Sequence, residues 1–361
     1  MDVLGAVAPE GLEMTKAPTI KDVATTAGVS VSVVSRVLNG SGPVAPAKRD
    51  RVLAAVEALA YRPRAAARQL QAGQSGTIGL LLADLTNPFF ARLADRVVAE
   101  ARPRDLQIVL MTTQEDPHLE ARTLDTLLDR SVAGVIGTPT GNNVERWQKL
   151  AALDIPLVFV DRTIERLVDV DVVSIENAES ASTATRHLLQ LGHQRIGIVS
   201  GPLSTSTGSE RVRGYQNAHQ EAGVEPDDRL ICPAPFRGDQ GADAVAKMLA
   251  LEHPPTALVV ANTAQVRVVL SALANRGIRI PADMSVVVFD DNPWTELIQP
   301  PLTVVRQPID MLALHSVELM SSRIQGSLPP GPRHMRVSAE FVERSSTTAY
   351  DRLSTAGDLL R

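Results

Sequence analysis

Five polar residues stand directly behind short apolar runs: Asp84 behind Leu82, Asp161 behind Val160, Ser200 behind Val199, Asn262 behind Ala261 and Asp290 behind Phe289. If each run is a buried strand, these residues mark the carboxyl ends of strands, where open α/β sheets bind ligands. Carboxylates accept hydrogen bonds from hydroxyls, and an amide both donates and accepts. One polar residue at a strand end is an ordinary loop residue. Five, drawn from both halves of the chain, point to one convergent site. A second set lies near the N-terminus, where Ser32, Ser35 and Arg36 share the outer side of a short helical stretch with Val31 near its start. A guanidinium, two hydroxyls and a methyl-bearing side chain suit contact with base edges and phosphates.

Other chemistry lacks its signature. There is no Gly-x-x-x-x-Gly-Lys-Ser/Thr loop, no Gly-x-Gly-x-x-Gly fingerprint, no His-Glu-x-x-His pair and no Gly-x-Ser-x-Gly elbow. His187 and His193 are six positions apart and share no helix face, and Cys232 has no adjacent base. No catalytic residue, cofactor or metal is expected.

Each site requires particular elements. Thr19 caps a first helix, with Asp22 as its capping-box partner; Ile20, Val23, Ala24 and Ala27 form the inner face, and Gly28 ends it. Ser30 caps a second helix whose Val34, Val37 and Leu38 point inward. Asn39-Gly40-Ser41-Gly42-Pro43 has loop composition, and a third helix over about 46–60 turns Val52, Leu53, Val56 and Leu59 inward. Two helices around a Gly turn, closed by a third, is the DNA-reading arrangement, although a small bundle without a ligand has the same spacing. From Pro63, an alanine-rich stretch through Leu70 reads as a marginal helix, followed by a Gly-flanked linker. Beyond it, apolar runs alternate with helical patterns. Examples are Ile78 to Leu82, then a helix from Pro88 carrying Phe90, Leu93, Ala94, Val97 and Val98, and later Ala257 to Val260 and Ser285 to Phe289. The pattern restarts after Ile175, which predicts two α/β lobes with parallel sheets and a cleft between them.

Composition agrees. The chain has 361 residues, 44% hydrophobic and only 3% aromatic, so its cores rest on Val, Leu, Ile and Ala. The formal net charge of −5 hides an asymmetry: residues 18–76 carry 8 basic and 3 acidic groups, whereas residues 77–361 carry 27 and 35. A small basic head on an acidic body suggests that only the head meets a polyanion. One cysteine, no apolar run of membrane length and no signal-like start suit a reducing cytoplasm.

The wording of the head is specific. Thr19-Ile20-Lys21-Asp22-Val23-Ala24, Ala27-Gly28-Val29-Ser30 and Val34-Ser35-Arg36-Val37-Leu38-Asn39-Gly40 closely resemble the headpiece of the lactose-repressor/galactose-repressor (LacI/GalR) family of bacterial transcription regulators. The match continues through Tyr61-Arg62-Pro63 to Ala66-Ala67-Arg68-Gln69-Leu70, and weaker matches recur to about residue 344. The resemblance implies a helix-turn-helix headpiece that contacts a pseudo-palindromic double-stranded operator through Thr19, Ser30, Val31, Ser32, Ser35, Arg36 and Asn39. It also implies a hinge helix that wedges Leu70 into the minor groove. The body would resemble periplasmic sugar-binding proteins, with three crossings between lobes. A sugar or sugar derivative would be held by Asp161, Arg211, Asn262, Asp290 and Thr207 against walls of Phe89, Phe90 and Phe236. Arg211 stands in Glu210-Arg211-Val212-Arg213-Gly214-Tyr215, the family's arginine followed by glycine and an aromatic.

The sequence also departs from this pattern. Asn262-Thr263 stands where the family has Asn-Asp, Arg267-Val268-Val269 where it has Ala-Leu-Gly, and Val288 where it has a glycine before Phe-Asp. An acidic effector, a lost response and a merely surface-exposed Arg267 all fit these changes. The expected layout is a disordered extension over 1–17, with Met14 as the working start, and a helix-turn-helix domain over 18–62. Then come a hinge helix and linker over 63–76, a two-lobed effector-binding and dimerisation body over 77–344 and a C-terminal tail over 345–361. The expected molecule is a cytoplasmic homodimeric regulator of transcription, with no membrane contact; the rivals are a sugar-binding receptor without a DNA role and an α/β enzyme.

Overall fold

The computed structural model describes residues 18–39, 42–61 and 76–350, with the side chain of Asn39 left out. Met14, residues 40–41, the hinge with Leu70 and residues 351–361 lie outside the described residues. The chain divides into two units, Met1–Ser75 and Gly76–Arg361.

In the first unit, α1 (Ile20–Ala27), α2 (Val31–Asn39) and α3 (Pro46–Ala58) enclose Val23, Ala24, Ala27, Val34, Val52, Ala55 and Tyr61. Thr19 caps α1, and its own N–H donates to the Asp22 carboxylate at 2.7 Å, which closes the capping box. Gly28 sits at φ +61°, the left-handed region in which a side chain is strained, so the chain turns sharply into α2. The Ser30 carbonyl accepts from the Val33 and Val34 N–H groups and starts α2. Two expectations change here. Asn39 belongs to the last turn of α2 rather than to a loop. Leu53 is 47% exposed, because α3 turns Val52 and Ala55 into the core with Val56 and Leu59 half-buried beside them.

The second unit has two lobes. Lobe 1 contains β1 (Thr77–Leu82), α4 (Pro88–Ala101), β2 (Gln107–Thr112), α5 (Pro117–Asp129), β3 (Gly134–Gly137), α6 (Val144–Ala152), β4 (Leu157–Val160) and β5 (Asp171–Ile175). Lobe 2 contains α7 (Asn177–Gln190), β6 (Ile196–Ser200), α8 (Ser206–Glu221), β7 (Ile231–Pro233), α9 (Gln240–Leu249), β8 (Ala257–Val260), α10 (Thr263–Ala274), β9 (Ser285–Phe289), α11 (Pro293–Leu297) and β10 (Thr303–Arg306). The chain then returns to lobe 1 as α12 (Ile309–Ile324) and β11 (His334–Val337), and ends its regular structure in lobe 2 as β12 (Glu340–Val342).

The two sheets share one topology. Their orders are β11-β5-β4-β3-β1-β2 and β12-β10-β9-β8-β6-β7, parallel throughout except for β12 against β10. The chain crosses between lobes three times: after Ile175, after Arg306 and after Val337. Central strands are buried on both faces and read as unbroken apolar runs, such as Leu157-Val158-Phe159-Val160. On α4, Val98 is 39% exposed, a departure from the expected stripe, because the buried face ends at Val97 and Ala101. Residues 345–350 pack against lobe 2: the Ser346 hydroxyl donates to the Val286 carbonyl at 2.6 Å and accepts from the Thr303 N–H at 2.8 Å. Among the described residues, no helix is long and apolar enough to cross a membrane.

Candidate ligand cleft and nucleic-acid interface

The carboxyl ends of the central strands of the two sheets converge. Asp161 follows β4 and Asp290 follows β9, both at φ +70°. Their backbones repeat one motif: the Asp161 N–H donates to the Val173 carbonyl and the Asp290 N–H to the Val305 carbonyl, each at 2.9 Å. Two left-handed aspartates at matching strand ends store backbone strain, which folds concentrate at ligand clamps.

Between the lobes these aspartates meet Asn87, Phe89, Phe90, Arg162, Thr207, Arg211, Phe236, Thr263 and Gln307 around a cavity of about 20 Å³, room for little more than one water. Seven of the eight residues expected at an effector site are therefore brought together. Asn262 is the exception. Its amide nitrogen lies 3.0 Å from the Ala234 carbonyl and 3.3 Å from the Pro235 carbonyl, so it ties the loop after β7 to the start of α10 instead of lining the cavity. Of the other strand-end residues, the Ser200 hydroxyl donates to the neighbouring Gly201 carbonyl, and Asp84 lies further out.

Arg211 projects from α8, whose first turn includes Thr207. Its Nε donates to Asn177 Oδ1 at 2.8 Å and its Nη1 to the Ala261 carbonyl at 3.0 Å, while the guanidinium lies 4.2 Å from the centre of the Phe289 ring. The rest of its motif now has a physical reason. A Cβ on Gly214 would come 2.0 Å from the Ala178 carbonyl oxygen, so only glycine lets α7 and α8 pack this closely. The Tyr215 hydroxyl donates to the Ile196 carbonyl at 2.7 Å and pins α8 to β6.

Arg162, Thr263 and Gln307 were not anticipated. Arg162 is buried and forms a two-pronged pair with Glu115 at 2.8 Å per prong, with its guanidinium 4.0 Å from the centre of the Phe236 ring. The signal was its place directly after Asp161: a second charge at a strand end needs a partner. Asp290 accepts from Thr263 Oγ1 and, at 2.7 Å, from the Gln307 amide. Gln307 sits at the second crossing, just after β10, where no local sequence pattern marks it.

Electrostatics set the chemistry. Burial pushes the Asp161 carboxyl up to about 6, against the downward pull of Arg162 and Arg211. Burial also raises Asp290, opposed by its bond from Thr263, and lowers Arg211. Burial alone would pull Arg162 down, but Glu115 holds it up. Asp161 accepts no hydrogen bond from the described residues; its nearest cation is Arg162 Nε at 3.6 Å, an atom itself unpaired. Thr207 Oγ1 and Gln307 Oε1 are likewise buried without partners. Unpaired buried polar atoms are costly, and three of them, beside a carboxylate without donors among the described residues, surround one small cavity that a polar ligand could satisfy.

On the first unit, Ser30, Val31, Ser32 and Arg36 are exposed on one side of α2, with Ser35 half-buried beside them. The Ser30 and Ser32 hydroxyls lie 2.8 Å apart, and Arg36 Nε reaches back to the Ser32 carbonyl at 3.4 Å. The N-terminus of α2 thus presents small donors, a methyl-bearing side chain and a guanidinium together. Thr19 is committed to its cap and offers only its edge.

Residues 75–345 match the family described as periplasmic binding proteins and sugar binding domain of LacI family, and residues 19–64 match the lacI family of bacterial regulatory proteins. This chain belongs to the LacI family. The HTH-type transcriptional regulator DegA of Bacillus subtilis is 32% identical over 81% of this chain and 87% of its own. Among solved structures, the complex of the transcriptional regulator CelR with cellobiose is 30% identical, with a TM-score of 0.71, and the match covers 91% of this chain and 99% of that one. The lac repressor dimer bound to operator and the anti-inducer ONPF is 26% identical, with a TM-score of 0.77, and the match covers 92% and 100%. As a LacI-family member the chain is a DNA-binding transcription regulator under ligand control, and its helical head and two-lobed parallel-sheet body are the parts that family uses.

Proposed function

We propose that this regulator represses transcription as a homodimer on a pseudo-palindromic operator, and that a sugar or sugar derivative between the lobes sets its operator affinity. The observation that carries the effector class is the inner cleft. Asp161 lacks donors among the described residues, Asp290 and the Arg211 fork face it across the lobes, and Phe89 and Phe90 meet edge to face at 5.0 Å to form an apolar wall. Carboxylates that accept from vicinal hydroxyls, a guanidinium that donates, and aromatic faces for C–H surfaces make the recognition set for a polyol. The CelR structure, solved with cellobiose, supports a saccharide. Two α2 helices related by a twofold axis would read two half-sites.

The cleft is nearly closed, so a ligand must bind by way of an opened form. It can shift operator affinity only by its differential affinity for the open and closed lobes. The test is calorimetry with a panel of pentoses, hexoses and disaccharides, together with electrophoretic mobility of the chain's own upstream DNA with and without each binder. A sugar that binds and changes the shift is the expected result; no saccharide binding at all would overturn the effector class, and no retarded upstream fragment would overturn a pseudo-palindromic operator in that DNA.

A further inference from the structure

The geometry points to an effector with an anionic group, received at the mouth of the cleft by Arg267 and the Asn292 amide. This rests on the polyol reading of the inner cleft. A cavity of about 440 Å³ lies outside the inner one and shares Asn87, Phe236 and Thr263 with it, so one ligand can span both. Its charged lining is Asp84, Arg237 and Arg267. Arg237 Nε lies 3.3 Å from Asp84, and its Nη1 reaches Gln114 across the mouth, so this arginine is neutralised in place. Arg267 is exposed on α10 and makes no ion pair or hydrogen bond with the described residues, which leaves one uncompensated positive charge in the cavity.

Asn292 supplies the second, independent observation. It is only 6% exposed and lines this cavity, yet its side-chain amide makes no hydrogen bond among the described residues. That amide is therefore free to donate to a ligand oxygen at the cavity. The inner cleft could not take the anion itself. There Asp161 and Asp290 outnumber Arg211, and Arg162 is spent on Glu115, so a further negative charge would be repelled. The first turn of α10, with Thr263 and Ala264 in the lining, adds the favourable end of a helix dipole.

Calorimetry on the full chain should use matched sets: glucose with glucuronate and glucose 6-phosphate, and ribose with ribose 5-phosphate. Inorganic phosphate against ionic-strength-matched chloride is followed by thermal shift. The acid arm and the phosphate arm distinguish the two sources of charge. In the wild type, one anionic derivative should bind at least about tenfold more tightly than its neutral parent, with the difference shrinking as salt rises. Arg267→Ala should erase that difference, and Asn292→Asp should reverse it; the exposed position of Arg267 makes its variant safe for folding. Equal binding of parent and derivative, in wild type and variant alike, would overturn the anion subsite and leave the polyol reading intact. Phosphate stabilisation unchanged by Arg267→Ala would mean an adventitious ion only and would also overturn it. Phosphate stabilisation lost in Arg267→Ala, with no sugar bound by the wild type, would keep the subsite and sink the polyol reading.

Discussion

A carboxyl group held near pH 6 by burial leaves a signature in stability. Unfolded, Asp161 ionises near its ordinary 3.8; folded, near 6, so the folded chain binds more protons between those values. Stability therefore falls as pH rises through that window, and above it the cost is fully present. Asp161→Asn should stabilise the unliganded protein at pH 7.5 by about 1–3 kcal/mol, an advantage that vanishes near pH 4. The same variant should bind the effector more weakly. Melting curves at both pH values check the first part, and a stability gain independent of pH would contradict this account. Arg36 belongs to the same scale: Arg36→Ala should weaken operator binding by about 1–3 kcal/mol and relax specificity at one base pair, read by mobility shift against single-base operator variants. Residue types at strand ends made Asp161 and Asp290 legible, and the family resemblance supplied Phe89, Phe90, Thr207, Arg211 and Phe236. What escaped were residues whose role depends on a distant partner. Arg162 is explained by Glu115, 47 positions earlier, and Asn262 is withdrawn from the cavity by carbonyls of the loop after β7. Neither relation has a local pattern.

Among the elements, those with a strict period or an unbroken apolar run were predicted with near-correct ends, including β1, β8 and β9. Helix α7 gives little sequence signal because, apart from Leu188, its buried face is built from Ala, Ser, Thr and Asn, which carry little hydrophobic contrast. That same smallness is what lets α7 lie against α8. Gly214→Ala would drive a methyl into the Ala178 carbonyl, pushing the helices apart and lifting Arg211 away from Asn177. The expected cost is about 1–3 kcal/mol of stability, with weaker effector binding in addition. A variant with lowered melting temperature and unchanged effector affinity would show that α8 absorbs the strain without moving Arg211.

For the whole molecule, control of DNA binding must pass from the cleft to the head. Arg211→Ala should abolish the effector's influence on operator binding while operator binding itself persists, since α1 to α3 are untouched. Mobility shifts at saturating and zero effector measure both quantities in one experiment, and a variant that no longer retards the operator would show that Arg211 also supports the active fold of the dimer.

The order in which the chain is made has its own consequence. Lobe 1 is completed only by α12 and β11, which follow all of β6 to β10. Until then the sheet face formed by β3, β4 and β5 lacks the helix that buries Leu312, Val317 and Met320 against it. At about 5–20 residues per second, synthesis of the intervening stretch leaves that apolar face uncovered for on the order of ten seconds. Ribosome-bound chains halted at Arg306 should therefore be held by general chaperones, and chains extended through Tyr350 should be released from them; equal chaperone occupancy at both lengths would mean that lobe 1 closes over its own sheet before its last helix arrives.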